Sequence, residues 1–517
     1  MVKALIIIAC GVILQLSAVW FLGSNRDNGL FFCCRGVPDD IYHLALTNQL
    51  ASNFPPQEPG MVEVTVKNYH YLASLVMADF IRVFDLPLIS TVYQYFPALI
   101  SILLGLTIVV IAQLLSLNNK ITHWWLFFLY FHGDILYALL WLRGRGLNFD
   151  VTIFDDATKL LAGPPRSFSI LLLFTGIALF ILLIRKRTWL LGILTGLVLG
   201  SLIGFKIYTG IFALVGMATI GTYYLFKRDW KMLVAPLVTL GTSLAIYLPV
   251  NGATGGLIFN GSYRFDNFIS QPIFGLTNLV LWKEAGWWPL EILFFAAYLI
   301  FLYGPSLLAI FQTRTTLKLL PKEINLFIFS ATTITGIIGL FFLQNIGGLN
   351  TVQFLLTLYF IFALYAALTI SRLSNHWMLI VGLLIVLFTL PRPLYEAWGN
   401  VQMIINRQGL FISQQEQEGL NYLKKNTPPN AVIGLPKDFA RQEISLYVGF
   451  LTNRPLYLSG YTGVLQDHEV IGAEERLENP DFSKIDYFFW PKKYSANFPG
   501  QTVFENQIIK IIKAPSL

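Results

Sequence analysis

The stretch ALIIIACGVILQLSAVWFL (residues 4–22) runs for nineteen positions without a charged side chain. A helix needs roughly 20 mostly apolar residues to cross a hydrocarbon core of about 30 Å. The run is longer than a signal-peptide core and ends without a small-x-small cleavage site, so it reads as a retained signal-anchor span. The rest of the chain repeats the theme. Of its 517 residues, 55% are hydrophobic and only 13% are charged, with mean hydropathy +0.61. Soluble proteins carry about 25% charged residues, so most of this chain belongs in lipid.

Apolar windows and basic gaps together predict about 11 spans. They lie near 4–22, 92–116, 124–142, 167–184, 188–205, 208–226, 232–250, 289–311, 324–343, 354–371 and 377–391. Arg185, Lys186 and Arg187, then Lys227, Arg228 and Lys231, then Arg314, Lys318 and Lys322, fill gaps between these windows. That is where the positive-inside rule puts cytoplasmic loops, and it places the N-terminus in the cytoplasm. The net charge of +7 is therefore a topology signal, and no nucleic-acid partner is expected. Trp124, Trp125, Trp189, Trp287, Trp288 and Trp377 fall near span ends, as interfacial anchors do. Three cysteines make no disulfide framework: Cys10 lies in the first span, Cys33 and Cys34 are adjacent, and all three read as structurally minor.

The outside loops are long and the inside ones short, which points to the extracytoplasmic face as the working one. The first outside loop, 23–91, carries helical patterns at 41–52 and 70–84. The second is RGRGLNFDVTIFDDATKLLAGPPR (143–166), and the third, 251–288, is rich in Gly, Asn and aromatics. From about residue 400 the composition turns polar. QQEQEGLNYLKKNTPPNAVIGLP reads as an amphipathic helix, a proline stop and a strand. ISLYVGF (444–450), IDYFFW (485–490) and QIIKIIK (507–513) read as further strands, with an acidic helix near 466–478. The fold class expected is an α-helical polytopic membrane domain over 1–395 and a small extracytoplasmic α/β or α+β domain over 396–517.

GVPDDIYHLALTNQL (36–50) follows the first span closely. On a helix Asp39 and Asp40 share a face with His43, four and three residues on. An aspartate suits a helix start, but two carboxylates exceed what one cap needs. A general base or a cation ligand beyond a membrane span would need such a residue on a short surface helix.

PDDIYH (38–43) resembles the first-loop Pro-Asp-Glu motif of GT-C glycosyltransferases, with Asp40 where Glu is usual. FPPQEPGMVEVTVKNYHYLASLVMADF (54–80), GPPRSFSILLLF (163–174) and GFKIYTGIFAL (204–214) are similar to bacterial members of that group. The resemblance is to the protein-mannosyltransferase and aminoarabinose-transferase type; the Trp-Trp-Asp-Tyr-Gly signature of oligosaccharyltransferases is absent from the sequence. It implies a multi-span enzyme of a bacterial cell membrane that moves a sugar from a polyprenyl-phosphate donor to a lipid, glycan or protein acceptor. Asp39 would accept the proton of the attacking hydroxyl, with inversion, and Asp40 would support it or help hold a divalent cation, Mg or Mn. His43 and His70 would bind substrate. The donor phosphate calls for a cation near the outer surface. Lys206, between two apolar runs where a charge is expensive, is the leading candidate, with Arg143, Arg145, Arg166 and Arg264 beside it. Asp155 and Asp156 form a second acidic pair for the same site. A transporter or flippase of lipid-linked substrates is the alternative, but no inverted repeat supports it; a third reading is a non-catalytic assembly protein.

Overall fold

The structure, a computed structural model, describes residues 2–26, 28–33, 37–142, 144, 157–252, 256–261, 289–344, 349–460, 467–495 and 498–515. Among the described residues eight helices are long and apolar enough to cross a membrane. They are Leu88–Leu114, Pro164–Lys186, Ile207–Lys227, Trp230–Val250, Ile292–Ile310, Lys322–Phe341, Val352–Ile370 and Asn375–Ile405. A ninth span is broken: Asn119–Phe131 and Leu136–Leu142 meet at 72°. The shorter apolar helices Val2–Leu16 and Trp189–Phe205 complete the eleven windows read from the sequence. The chain is a multi-pass membrane protein.

Lipid gives helices no hydrophobic reason to associate, so they pack by close backbone approach over small residues. Trp189–Phe205 shows how. Its Gly192, Gly196, Gly200 and Gly204 form one stripe at four-residue spacing, facing Trp230–Val250. A methyl on Gly196 would sit 2.5 Å from the Val238 Cβ, and one on Gly200 would sit 2.7 Å from the Thr239 carbonyl oxygen. Val352–Ile370 is the most enclosed of the eight spans. Trp125 is fully buried against Phe174, with ring centroids 5.9 Å apart, so it is a core residue and no interfacial anchor. Trp189 and Trp377 are exposed, and Trp287 and Trp288 lie outside the described residues.

The polar body is built from two distant parts of the chain. Strands Ser24–Arg26 and Gly29–Cys33 form an antiparallel hairpin, and Gly409–Ile412 pairs onto Gly29–Cys33 with Phe31 opposite Phe411. Cys33 is disulfide-bonded and Cys10 is free, so Cys33 is not the minor residue its spacing suggested. Beyond Gly409–Ile412 lies helix Gln414–Asn426, started by a Ser413–Glu416 capping box and followed by Thr427, Pro428 and Pro429. A mixed four-stranded sheet follows, in the order Ile433–Gly434, Tyr487–Pro491, Ile509–Lys513, Gln501–Glu505. Only its first pair is parallel. The acidic helix is present as Asp467–Glu478.

ISLYVGF is not a strand. It forms a 3₁₀ turn, Glu443–Leu446, and a short helix, Tyr447–Thr452. Short apolar runs do not distinguish the two periods, and here packing decides. Leu446, Val448 and Phe450 share a core with Ile41, Tyr42, Leu46 and Leu50 of the first loop. Phe450 also meets Phe32 edge-on, with centroids 6.2 Å apart.

Candidate functional site

Helix Val37–Ser52 carries Pro38, Asp39 and Asp40 in its first turn, where proline is pre-organised and negative charge complements the helix dipole. Its Ile41, Tyr42, Leu44 and Leu46 are fully buried in the core shared with the C-terminal part, so the helix is rigidly seated. The two carboxylates then part company. Asp39 is exposed and Asp40 is only 2% exposed. The Asp40 carbonyl oxygen accepts a hydrogen bond from the Tyr93 hydroxyl. Burial, and then the Asp39 charge beside it, push the Asp40 carboxyl well above the ordinary carboxylate range.

One turn on, His43 is buried, with Tyr69 Oη 3.5 Å from its Nε2. Burial is the main force lowering its pKa to about 4; Asp39 pulls it up and Lys206 pushes it down. Both charges therefore act on one imidazole. Tyr69 stacks on His70 at 4.6 Å and 21°, and His70 Nε2 lies 3.4 Å from Lys206 Nζ. Burial, Lys206 and His43 together hold His70 well below its ordinary value. The result is a row from Asp39 through His43, Tyr69 and His70 to Lys206, with both imidazoles neutral near pH 7.

Lys206 owes its place to a one-residue break. It is the extended residue (φ −156°) between helices Trp189–Phe205 and Ile207–Lys227. Gly210 lets the two helices meet there, since a Cβ at Gly210 would lie 2.5 Å from the Ile203 Cα. Arg166, in the first turn of Pro164–Lys186, lies at the same end of the bundle. Phe168 stacks on Phe205 at 5.6 Å, and Ser169, whose hydroxyl donates to the Arg166 carbonyl oxygen, reaches Thr209 Oγ1 at 3.2 Å. Over Lys206 stands Tyr208, whose hydroxyl donates to Gln344 Oε1 at 3.1 Å. Gln344 belongs to strand Phe342–Gln344, paired with Leu257–Phe259.

Asp39, Asp40, His43, His70, Lys206 and Arg166 are thus all at one end of the molecule. Arg143, Arg145, Asp155, Asp156 and Arg264 lie outside the described residues. Among the described residues no three His, Cys, Asp or Glu side chains converge to hold a metal ion. Asp40 is buried with its carboxyl held well above the ordinary carboxylate range, so the exposed carboxylate of the pair is Asp39. Tyr42, Tyr69, Tyr93 and Gln344 escaped the sequence reading. Only the Tyr-His-Tyr run at 69–71 hinted at them, because a lone tyrosine between apolar residues looks like packing.

A buried charged group beside the broken span escaped it too. Arg392, 1% exposed, pairs with Glu396 one turn on, and Lys159 approaches the same carboxylate at 4.0 Å. The backbone of Gly133, in the break, packs on the Arg392 side chain. Charges inside a membrane bundle persist when paired, and this set ties the break to the last span.

No protein-family model matches the sequence, and no curated protein matches it. Solved structures do. The oligosaccharyltransferase of Archaeoglobus fulgidus, solved with Zn and sulfate, aligns over 94% of this chain and 68% of its own, with TM-score 0.51 at 11% identity. The fold is the GT-C fold. The apo form of the same archaeal enzyme agrees, at TM-score 0.51, 11% identity and 94% and 69% coverage. ArnT from Cupriavidus metallidurans, bound to undecaprenyl phosphate, is similar at TM-score 0.43 and 13% identity over 98% of this chain and 97% of that one.

Proposed function

We propose that this GT-C chain is a membrane glycosyltransferase. It moves a sugar from a polyprenyl-phosphate donor to an acceptor hydroxyl on the extracytoplasmic face of a bacterial cell membrane, inverting the anomeric centre. The N-terminus is cytoplasmic in this reading, 1–395 is the catalytic membrane domain, and 396–517 is the extracytoplasmic domain. The observation that carries the proposal is the row that starts at exposed Asp39: His43 one turn on, Tyr69 Oη 3.5 Å from His43 Nε2, His70 stacked on Tyr69, and Lys206 Nζ 3.4 Å from His70 Nε2.

The chemistry needs two charges apart. Asp39, exposed at the helix start, takes the proton from the attacking hydroxyl as its oxygen bonds the anomeric carbon. The bond from that carbon to the phosphate oxygen breaks, and the electron pair stays on the phosphate. Lys206, with Arg166 at the same end, meets the charge that develops there. Neutral His43 and His70, with Tyr69, supply hydrogen bonds to the sugar without neutralising Asp39. Asp40 keeps its proton and positions the helix start. The fold neighbour is an oligosaccharyltransferase, which accords with glycosyl transfer.

The test is Asp39→Asn in purified protein given a polyprenyl-phosphate sugar donor. Loss of a general base costs about 10²–10⁴-fold in rate, and that drop is expected with unchanged thermal stability. Transfer near the wild-type rate would remove Asp39 from the mechanism.

A further inference from the structure

His70 faces a group that can only donate. Its Nε2 lies 3.4 Å from Lys206 Nζ, and an ammonium has no lone pair, so His70 accepts there and carries its proton on Nδ1. The ring is fixed in plane by stacking on Tyr69. Among the described residues, the charged and titratable groups that act on it are Lys206, from the helix break, and His43, from the first-loop helix. Neither is a carboxylate.

The proposed reaction changes the charge at this spot. The donor is a phosphodiester with one negative charge. Once the bond to the sugar breaks, the polyprenyl phosphate is a monoester, whose second ionisation lies near pKa ~6, so it bears nearly two charges at neutral pH. One proton goes from the acceptor hydroxyl to Asp39. Lys206 and Arg166 meet the charge the diester already carries, and His70, in contact with Lys206, is the group there that can gain a proton to match the charge added.

Resting on the donor class proposed above, we propose that His70 takes up one proton from solvent when the polyprenyl phosphate monoester forms or binds beside Lys206, and so becomes a further cationic partner of the leaving group. Burial first and Lys206 second keep His70 neutral in the free protein; the anion offsets both, because it stabilises an imidazolium and draws the Lys206 ammonium to itself. The diester, one charge lighter, draws no proton.

Proton uptake can be counted by calorimetric titration of the full-length protein in detergent, repeated in buffers of different ionisation enthalpy near neutral pH. The probes are undecaprenyl phosphate and its methyl ester. Close to one proton per bound monoester is expected, and close to none for the methyl ester. His70→Gln should abolish the uptake and weaken monoester binding about tenfold, leaving methyl-ester affinity unchanged. His70→Arg, permanently charged, should restore monoester binding without proton uptake. Equal uptake with both probes, or uptake retained in His70→Gln, overturns the proposal. Asp39→Asn should keep the uptake, so a failure of the base assignment stays distinct from a failure here. No binding of either probe would remove the donor class and this inference with it.

Discussion

One peptide bond separates two carboxyl groups in different surroundings. Asp39 is exposed and Asp40 is enclosed, so the same Asp→Asn exchange should have different consequences at the two positions. Asp40 keeps its proton in the folded protein at a pH where the unfolded chain has lost its own. Folded protein therefore binds more protons than unfolded above the ordinary value of 3.8, and stability falls as pH rises through that window. Asp40→Asn escapes this loss. Its melting temperature is expected to equal or exceed the wild type's at neutral pH, the gap closing toward pH 4, with transfer activity largely kept. His43 has the opposite sign. Its pKa falls from 6.5 to about 4, so the unfolded chain binds more protons between those values and stability drops as pH falls through them. His43→Gln should therefore flatten the thermal-shift profile across that range. An equally steep profile in the variant would assign the acid lability elsewhere. The motif was legible at this scale because PDDIYH is contiguous. The division of labour within it was not, since Asp40 is buried only in the folded chain, where Tyr93, 53 residues away, bonds its carbonyl oxygen.

Elements were read well where a single physical signal ruled. Every predicted span has its helix, because long apolar runs leave no alternative in lipid. ISLYVGF went the other way, its conformation being set by what it covers. The break at Lys206 belongs to this scale as well. It joins two helices at an angle tight enough that Gly210 touches the Ile203 backbone, and this presents the ammonium to His70. Gly210→Ala should force the pair apart. Overpacking of this kind costs about 1–3 kcal/mol, so the expected outcome is a lower melting temperature together with a fall in transfer rate. Gly241→Ala on the neighbouring span, where a methyl meets no atom within 4 Å, should leave both unchanged. If the two variants behave alike, the glycine at the break has no special part.

At the scale of the whole molecule, the first loop and the C-terminal part form one body. Gly29–Cys33 takes Gly409–Ile412 as its edge partner, the Gly60 carbonyl accepts from the Ser459 amide, and Glu63 meets Lys484 at 2.7 Å and Arg476 at 3.8 Å. Helix Val37–Ser52 is seated on that shared core. Deletion of 406–517 should therefore uncover the strand edge and the apolar face of Val37–Ser52, giving protein that aggregates in detergent and transfers no sugar; size-exclusion chromatography reads the first and an activity assay the second. Glu63→Ala removes two ion pairs made by an exposed carboxylate and should change little. A monodisperse, active truncation would mean that the shared core is dispensable.

The sequence by itself determined the membrane class, the positions of the spans and the contiguous acidic motif. These depend on local composition, which the solvent reads residue by residue. Only the tertiary structure decided which carboxylate is buried, which histidine meets Lys206, and that residues near 30 and 410 share a sheet. Those are contacts between distant parts of the chain, and burial and charge proximity come into being only when the chain is folded.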